Sequence, residues 1–357
     1  MAFGIIDTSY IDFPANIDGN YVKGLTLRSG LQFSDLVGRV DAAMGTINAG
    51  LDPVMASLLA PPTTSEVARG GATGRFKATR KSQYTVARPQ MVDRAAHGLA
   101  IDEWEIALGF TEDGLQEISL DDFQAQLDAV RLGFEAARRG ETLGRLFSDA
   151  EVSVQAGTVM TSPGFAGSGT GGNAFTTAYP NGNALPAGYT HYFRDTDANR
   201  AAVIATAVDR LALWGPGTFE LIGSSAAITA ISLLPLFVAA GSALVRPAPA
   251  AAEALVDPLA YAGVYRQNIL VRRPITDFTE DTFAIYRSGG AFSPSNPLVW
   301  RYDALRGRDA YVRSREMFPL AAAYVMQKFG ANVNDRTGAA LIKIAATGAY
   351  TAPVITV

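Results

Sequence analysis

At 357 residues, 48% hydrophobic and 18% charged, with 30 basic against 34 acidic side chains, the chain can build one large domain or two modest ones. It is too apolar and too close to neutral to be disordered. The lack of cysteine removes disulfide scaffolds, thiolate metal sites and cysteine nucleophiles, and the slight acidic balance argues against a dedicated nucleic-acid binder.

Residues 1–30 mix polar and apolar side chains without a sustained period and read as an extended arm, with no basic-then-apolar leader, so the mature chain is expected to begin near Met1. Phe33, Leu36, Val37, Val40, Met44 and Ile47 fall on a helical period. From Thr63 to Met91, β-forming residues alternate with Arg69, Arg75, Lys77, Arg80, Lys81 and Arg88. The pattern predicts two strands of a long hairpin with too little apolar surface to stand alone.

Next comes an acidic strip: Asp102, Glu103, Glu105, Glu112, Asp113, Glu117, Asp121 and Asp122. Such a strip can supply a carboxylate pair for acid–base or metal chemistry, form a solvated face, or receive the basic hairpin. The sign of the hairpin favours the last. Leu120, Phe123, Leu127, Val130 and Phe134 then repeat at intervals of three and four, predicting an amphipathic spine helix over 119–139. Ser119 and Asp122 fit a capping box, and Arg138-Arg139-Gly140 reads as the helix end.

Val152 to Thr190 carries no charged side chain and reads as a glycine-rich surface loop. A helix is predicted from about Ala198 to Trp214, capped by Thr196 or Asp197. Short strands follow near Phe219, Ile269–Val271 and Phe283–Tyr286, with a helix near Ile228. Leu221 to Val245 is uncharged and long enough to span a bilayer, but Pro235 and several glycines and serines break it, so a buried strand, short helix and turn are expected instead. A last helix is expected with Pro319 in its first turn and Gly330 beyond its end, followed by a closing strand Ala339–Ile344. The fold class is α+β without a βαβ period.

Gly167-Ser168-Gly169-Thr170-Gly171-Gly172 spells a dinucleotide-binding pattern, but prolines and glycines follow where a helix is required. No phosphate-binding Gly-Lys-Ser/Thr, no nucleophile elbow and no His-Glu-x-x-His occurs. His97 and His191 are read as surface or interface residues. The expectation is a protein without catalytic residues, metal or cofactor.

The order of these parts resembles the tailed-phage major capsid proteins of the Hong Kong 97 type. Locally, Phe318-Pro319-Leu320, Phe329-Gly330, Val333-Asn334-Asp335-Arg336-Thr337-Gly338-Ala339-Ala340, Tyr350 with Pro353, and Leu211-Ala212-Leu213-Trp214-Gly215 look like segments of that family. The resemblance implies a self-assembling icosahedral shell of hexamers and pentamers around double-stranded DNA, located in the virion and assembled in the host cytoplasm. It implies an N-terminal arm (1–62), an extended loop (63–91) lying on a neighbouring subunit, a peripheral domain (92–150 and 297–318) and an axial domain (151–296 and 319–357). It further implies a separate scaffolding protein, a portal and decoration proteins, weak non-specific contact with packaged DNA, and no membrane. Lys77 and Lys81 lie in the loop, but 306–318 offers no Asn, so the Lys–Asn crosslink of some members is not expected. The alternatives are an encapsulin-type compartment, a soluble enzyme using the acidic strip 102–122, and a membrane-associated protein.

Overall fold

The computed structural model describes residues 39, 42–48, 53–69, 96–111, 119–154, 161–166, 189–196, 198–215, 217–240, 261–266, 268–278, 280–317 and 320–355. In chain order the helices are α1 (42–48), α2 (Pro53–Leu58), α3 (Leu120–Phe147), α4 (Arg200–Ala212) and α5 (Ser225–Ser232). The first strands are β1 (Leu59–Thr63), β2 (Val67–Arg69), β3 (Ala96–Gly98), β4 (Asp102–Thr111), β5 (Val152–Ser153), β6 (Thr161–Ser162), β7 (Tyr192–Asp195) and β8 (Thr218–Gly223). After them come β9 (Phe237–Ala239), β10 (Tyr261–Tyr265), β11 (Ile269–Arg272), β12 (Thr282–Ser288), β13 (Leu298–Tyr302), β14 (Tyr311–Met317), β15 (Leu320–Val333) and β16 (Ala339–Ile344). The chain falls into two units: residues 1–52, 101–139 and 302–329, and residues 53–100, 140–301 and 330–357.

In the first unit, β15 is paired antiparallel on one side by β14 (Met317↔Leu320 to Tyr311↔Met326) and on the other by β4 (Thr111↔Leu320 to Asp102↔Phe329). Trp104 and Ile106 alternate along β4 with exposed Glu103, Glu105 and Ala107, so one face of the strand is apolar. That face meets Val130 and Phe134 of α3, Met44 and Ile47 of α1, and Val325 of β15. Phe123 and Leu127, on the same stripe of α3, are also buried. Gly133 lets the helix close on the sheet, because a Cβ there would stand 2.8 Å from Ile106 Cδ1.

The strand β15 corrects the expected last helix. Leu-Ala-Ala-Ala and the flanking Pro319 and Gly330 satisfy local helix rules, yet the segment is paired by strands on both edges, and pairing overrides a propensity of a few tenths of a kcal/mol per residue. The expected end of the spine helix at Gly140 is also corrected, since α3 continues to Phe147. Leu143, Leu146 and Phe147 are buried, which outweighs the roughly 1 kcal/mol cost of a helical glycine.

The second unit is built on a mixed sheet in the order β7-β16-β12-β8-β11-β10-β9. Residues Phe219, Leu221, Ile269, Val271, Phe283, Ile285, Ala340 and Ile342 share one core with Ile204, Ala207 and Leu211 of α4 and Ala227, Ile228 and Ile231 of α5. Every residue of β12 is buried, as expected for a strand covered on both faces. Gly223 is required where β8 crosses β12, because a Cβ would lie 2.6 Å from Phe283 Cβ. Two expectations change here. Helix α4 starts at Arg200 with Asn199 at its N-cap, not Thr196 or Asp197, and residues 162–166 of the uncharged stretch are buried rather than on a surface loop. Residues Leu221–Ala240 form the end of β8, α5, a turn and β9, and among the described residues no helix is long and apolar enough to cross a membrane.

Candidate assembly surfaces

The basic hairpin is described only at its base, where β2 and β3 pair antiparallel through Val67↔Gly98, Ala68↔His97 and Arg69↔Ala96. Arg69 is the last residue of β2; Arg75, Lys77, Arg80, Lys81 and Arg88 lie outside the described residues. The base is tied down inside the second unit. Arg301 donates to Leu99 O at 2.6 Å and to Glu66 at 3.1 Å, Leu99 N donates to Glu66 O, and Asn332 brackets Ala100 by accepting from its N–H and donating to its carbonyl. A hollow of about 190 Å³ lies between Ala60, Val67, Leu99 and Val299. It is smaller than the roughly 300–1,000 Å³ of an ordinary ligand site.

The acidic strip divides. Asp102, Glu103 and Glu105 stand exposed along β4, and Glu103 meets Lys328 of β15 at 3.3 Å. Asp121 and Asp122 are exposed in the first turn of α3, where Ser119 Oγ caps the helix by accepting from Asp122 N and donates to Asp122 Oδ2 at 2.5 Å. Glu112, Asp113 and Glu117 lie outside the described residues, as does the side chain of Leu120. Among the described residues no three His, Asp or Glu side chains come together to hold a metal ion.

Sequence reasoning missed the buried charges. In the second unit Glu220 of β8 accepts from Arg272 Nε at 2.6 Å and from Tyr286 Oη at 2.8 Å, while Arg272 also reaches Tyr261 Oη. Ser57 of α2 hydrogen-bonds Tyr286. Burial and the Glu220 charge push the Tyr286 hydroxyl well above its ordinary pKa. The sequence shows these only as isolated charges in apolar runs, Phe-Glu-Leu-Ile and Ile-Leu-Val-Arg, and the register Glu220↔Leu270 and Glu220↔Tyr286 assembles them.

Both histidines correct their expectation, since both are buried. His97 Nε2 lies 2.6 Å from Val333 O, and His191 sits between Ala339 O and the Tyr189 hydroxyl. Burial lowers both pKa values, that of His191 to about 4, so both rings are neutral at pH 7. Around the uncharged stretch, Arg145 donates to Ser162 O and Pro163 O, Arg336 donates to Gly164 O, and Ala166 O accepts from His191 N.

No protein-family model matches the chain, and no curated protein does. Solved structures do. A chain described as "Mycobacterium phage Patience" aligns with a TM-score of 0.61 at 19% identity, covering 92% of this chain and 93% of that one. Lower scores come from a capsid of an empty GTA particle (TM-score 0.46, 15% identity, 83% and 92% covered) and an encapsulin complex from Synechococcus elongatus (0.44, 13%, 84% and 89%). The chain thus has the fold of the Patience phage protein over more than nine-tenths of both.

Proposed function

We propose that this chain is the major capsid subunit of a tailed phage, an α+β protein of the Hong Kong 97 type that assembles into an icosahedral shell and performs no turnover chemistry. The observation that carries the reading is the fold shared with a phage protein along nearly the whole chain. The C-terminal segment from Phe329 to Ala340, which resembles the same family, supports it, with Asn332, Asn334 and Arg336 each bonding backbone carbonyls of other segments.

In this reading 1–62 is the arm and 63–91 the extended loop. Residues 92–150 with 297–318 form the peripheral domain, and 151–296 with 319–357 the axial domain. The loop of one copy reaches the acidic strip of the next, so Arg69, Arg75, Lys77, Arg80, Lys81 and Arg88 face Asp102, Glu103, Glu105, Glu112, Asp113, Glu117, Asp121 and Asp122. Single exposed pairs contribute about 0–1 kcal/mol, and their repetition around a closed shell steers assembly. The scaffold, portal, decoration proteins and packaged DNA named above are the partners, with assembly in the host cytoplasm.

Negative-stain microscopy of the purified protein is expected to show closed particles, rings or capsomers. Replacing Arg75, Lys77, Arg80 and Lys81 together with Glu is expected to leave a folded subunit that no longer closes. A protein that stays monomeric at high concentration overturns the reading; a quadruple variant that assembles like the parent across a salt titration overturns the role of the loop.

A further inference from the structure

The chain has two histidines, His97 and His191, and their buried rings grip the two ends of one turn. His97 Nε2 lies 2.6 Å from the carbonyl of Val333, the last residue of β15, and His191 Nδ1 lies 2.9 Å from that of Ala339, the first residue of β16. The turn between them is a fastening point. Asn334 donates to Pro294 O and Asn296 O, Arg336 donates to Gly164 O and its carbonyl accepts from Ala166 N, Asp335 pairs with Arg287, and Gly338 O accepts from Arg287 N. All of these residues belong to the second unit.

The bonding partners place the protons. A carbonyl oxygen only accepts, so each neutral ring commits its one N–H to an end of the turn, His97 through Nε2 and His191 through Nδ1. The other nitrogen of His191 lies 2.7 Å from the Tyr189 hydroxyl, which accepts from Trp214 Nε1 and donates to the ring. A second proton on His191 therefore sets an N–H against that hydroxyl's own hydrogen. Burial opposes the charged form of both rings and outweighs the help given by the two carbonyls. Arg336 and Arg145 add to the opposition at His97, and Arg210 and Arg287 at His191, while Asp335 is the carboxylate that favours the charge at both.

We infer that the two histidines form an acid-sensitive clasp on the 333–339 turn: proton uptake drives both rings from their buried seats, and the turn lets go together of β3 and of residues 189–192 at the start of β7. In water a histidine takes up its proton at about pH 6.5 with none of this opposition, so acid draws the rings out. Because both rings hold one turn and share Asp335, losing either grip removes support from the other. Two protons are then taken up in a single opening. The clasp works within one copy and is independent of the shell reading.

Hydrogen exchange of the full chain between pH 6 and pH 5 tests it. The amides to follow are Ala166, Gly338 and Leu341, which donate to Arg336 O, Asp335 O and His191 O, against those of β12, paired on both sides within the sheet. Once the intrinsic pH dependence of exchange is divided out, opening at the three amides is expected to rise by up to about 100-fold per pH unit, about tenfold for each proton taken up. The β12 amides are expected to stay the better protected throughout, so that the opening is local. His97→Gln and His191→Gln are each expected to reduce the slope to about tenfold per pH unit, and the double variant to flatten it. A purely structural role would shift exchange equally at every pH and leave the slope alone. Turn amides that exchange only when β12 does, a parent slope well below tenfold, or single variants that keep the parent's slope overturn the inference. The first two readings use the parent alone and decide the matter even if a variant does not fold.

Discussion

The two units place their charges in opposite ways. In the second, the Glu220–Arg272 and Asp195–Arg200 pairs are each less than a tenth exposed, and the Arg287–Asp335 pair has its arginine buried. In the first, Arg131–Glu135 and Glu103–Lys328 are between 30% and 45% exposed. Arg138, buried there, donates to neutral oxygens of Gln327 and Ile47. Buried pairs cost several kcal/mol of desolvation per ion, and in exchange fix which strands lie side by side. Among the described residues, the second unit thus uses these pairs on its own architecture, while Asp102, Glu103, Glu105, Asp121 and Asp122 of the first stand in water, where another molecule can meet them.

The largest test of that contrast is Glu220→Leu. It leaves the Arg272 guanidinium buried without its carboxylate and is expected to lower unfolding free energy by about 3–5 kcal/mol, read from urea denaturation. The double variant Glu220→Leu/Arg272→Met is expected to recover most of the loss. A single variant as stable as the parent would show that the pair does not organise the sheet.

Next in size is a pH effect in the same unit. His191 is held neutral with a pKa near 4, below the roughly 6.5 of an unfolded chain, so the unfolded state takes up its proton first as pH falls. Stability from this residue is complete above about pH 6.5 and is lost on the way to pH 4, by about 3 kcal/mol. The fall in urea midpoint between pH 7 and pH 4 is expected to be distinctly shallower in His191→Gln; equal slopes would break the assignment. The smallest effect belongs to the first unit. Glu135→Gln removes an exposed i,i+4 pair with Arg131 and is expected to cost about 0.3–0.5 kcal/mol, within reach of a careful denaturation series.

What the sequence made legible was whatever one segment decides for itself. The four-and-three spacing of Phe123, Leu127, Val130 and Phe134 marks the buried face of α3, and Ala339–Ile344, apolar but for Lys343, is strand β16. The N-cap at Ser119 needs only two residues three apart. By contrast, Leu320–Val333 satisfies helix rules locally and becomes a strand because residues 102–111 and 311–317 pair with it from far along the chain. The same distance hides Glu220 from Arg272, and His191 from the carbonyl of Ala339. On the candidate surface, the alternation of Glu103 and Glu105 with Trp104 and Ile106 shows which face of β4 is wet. Nothing local shows that β4 pairs with residues 320–329, since that depends on which strands arrive.

Arg145 has a consequence for proteolysis. Its guanidinium is buried in the carbonyls of Ala150, Ser162 and Pro163, and the next basic residue along the chain is Arg194. Trypsin therefore has no Lys or Arg at which to cut anywhere from 146 to 193, whatever that stretch does in solution, and the Arg145 bond at its start is shielded. Six basic residues crowd 69–88 instead, so the cleavable bonds for a protease of that specificity are dense there and missing from the long uncharged passage.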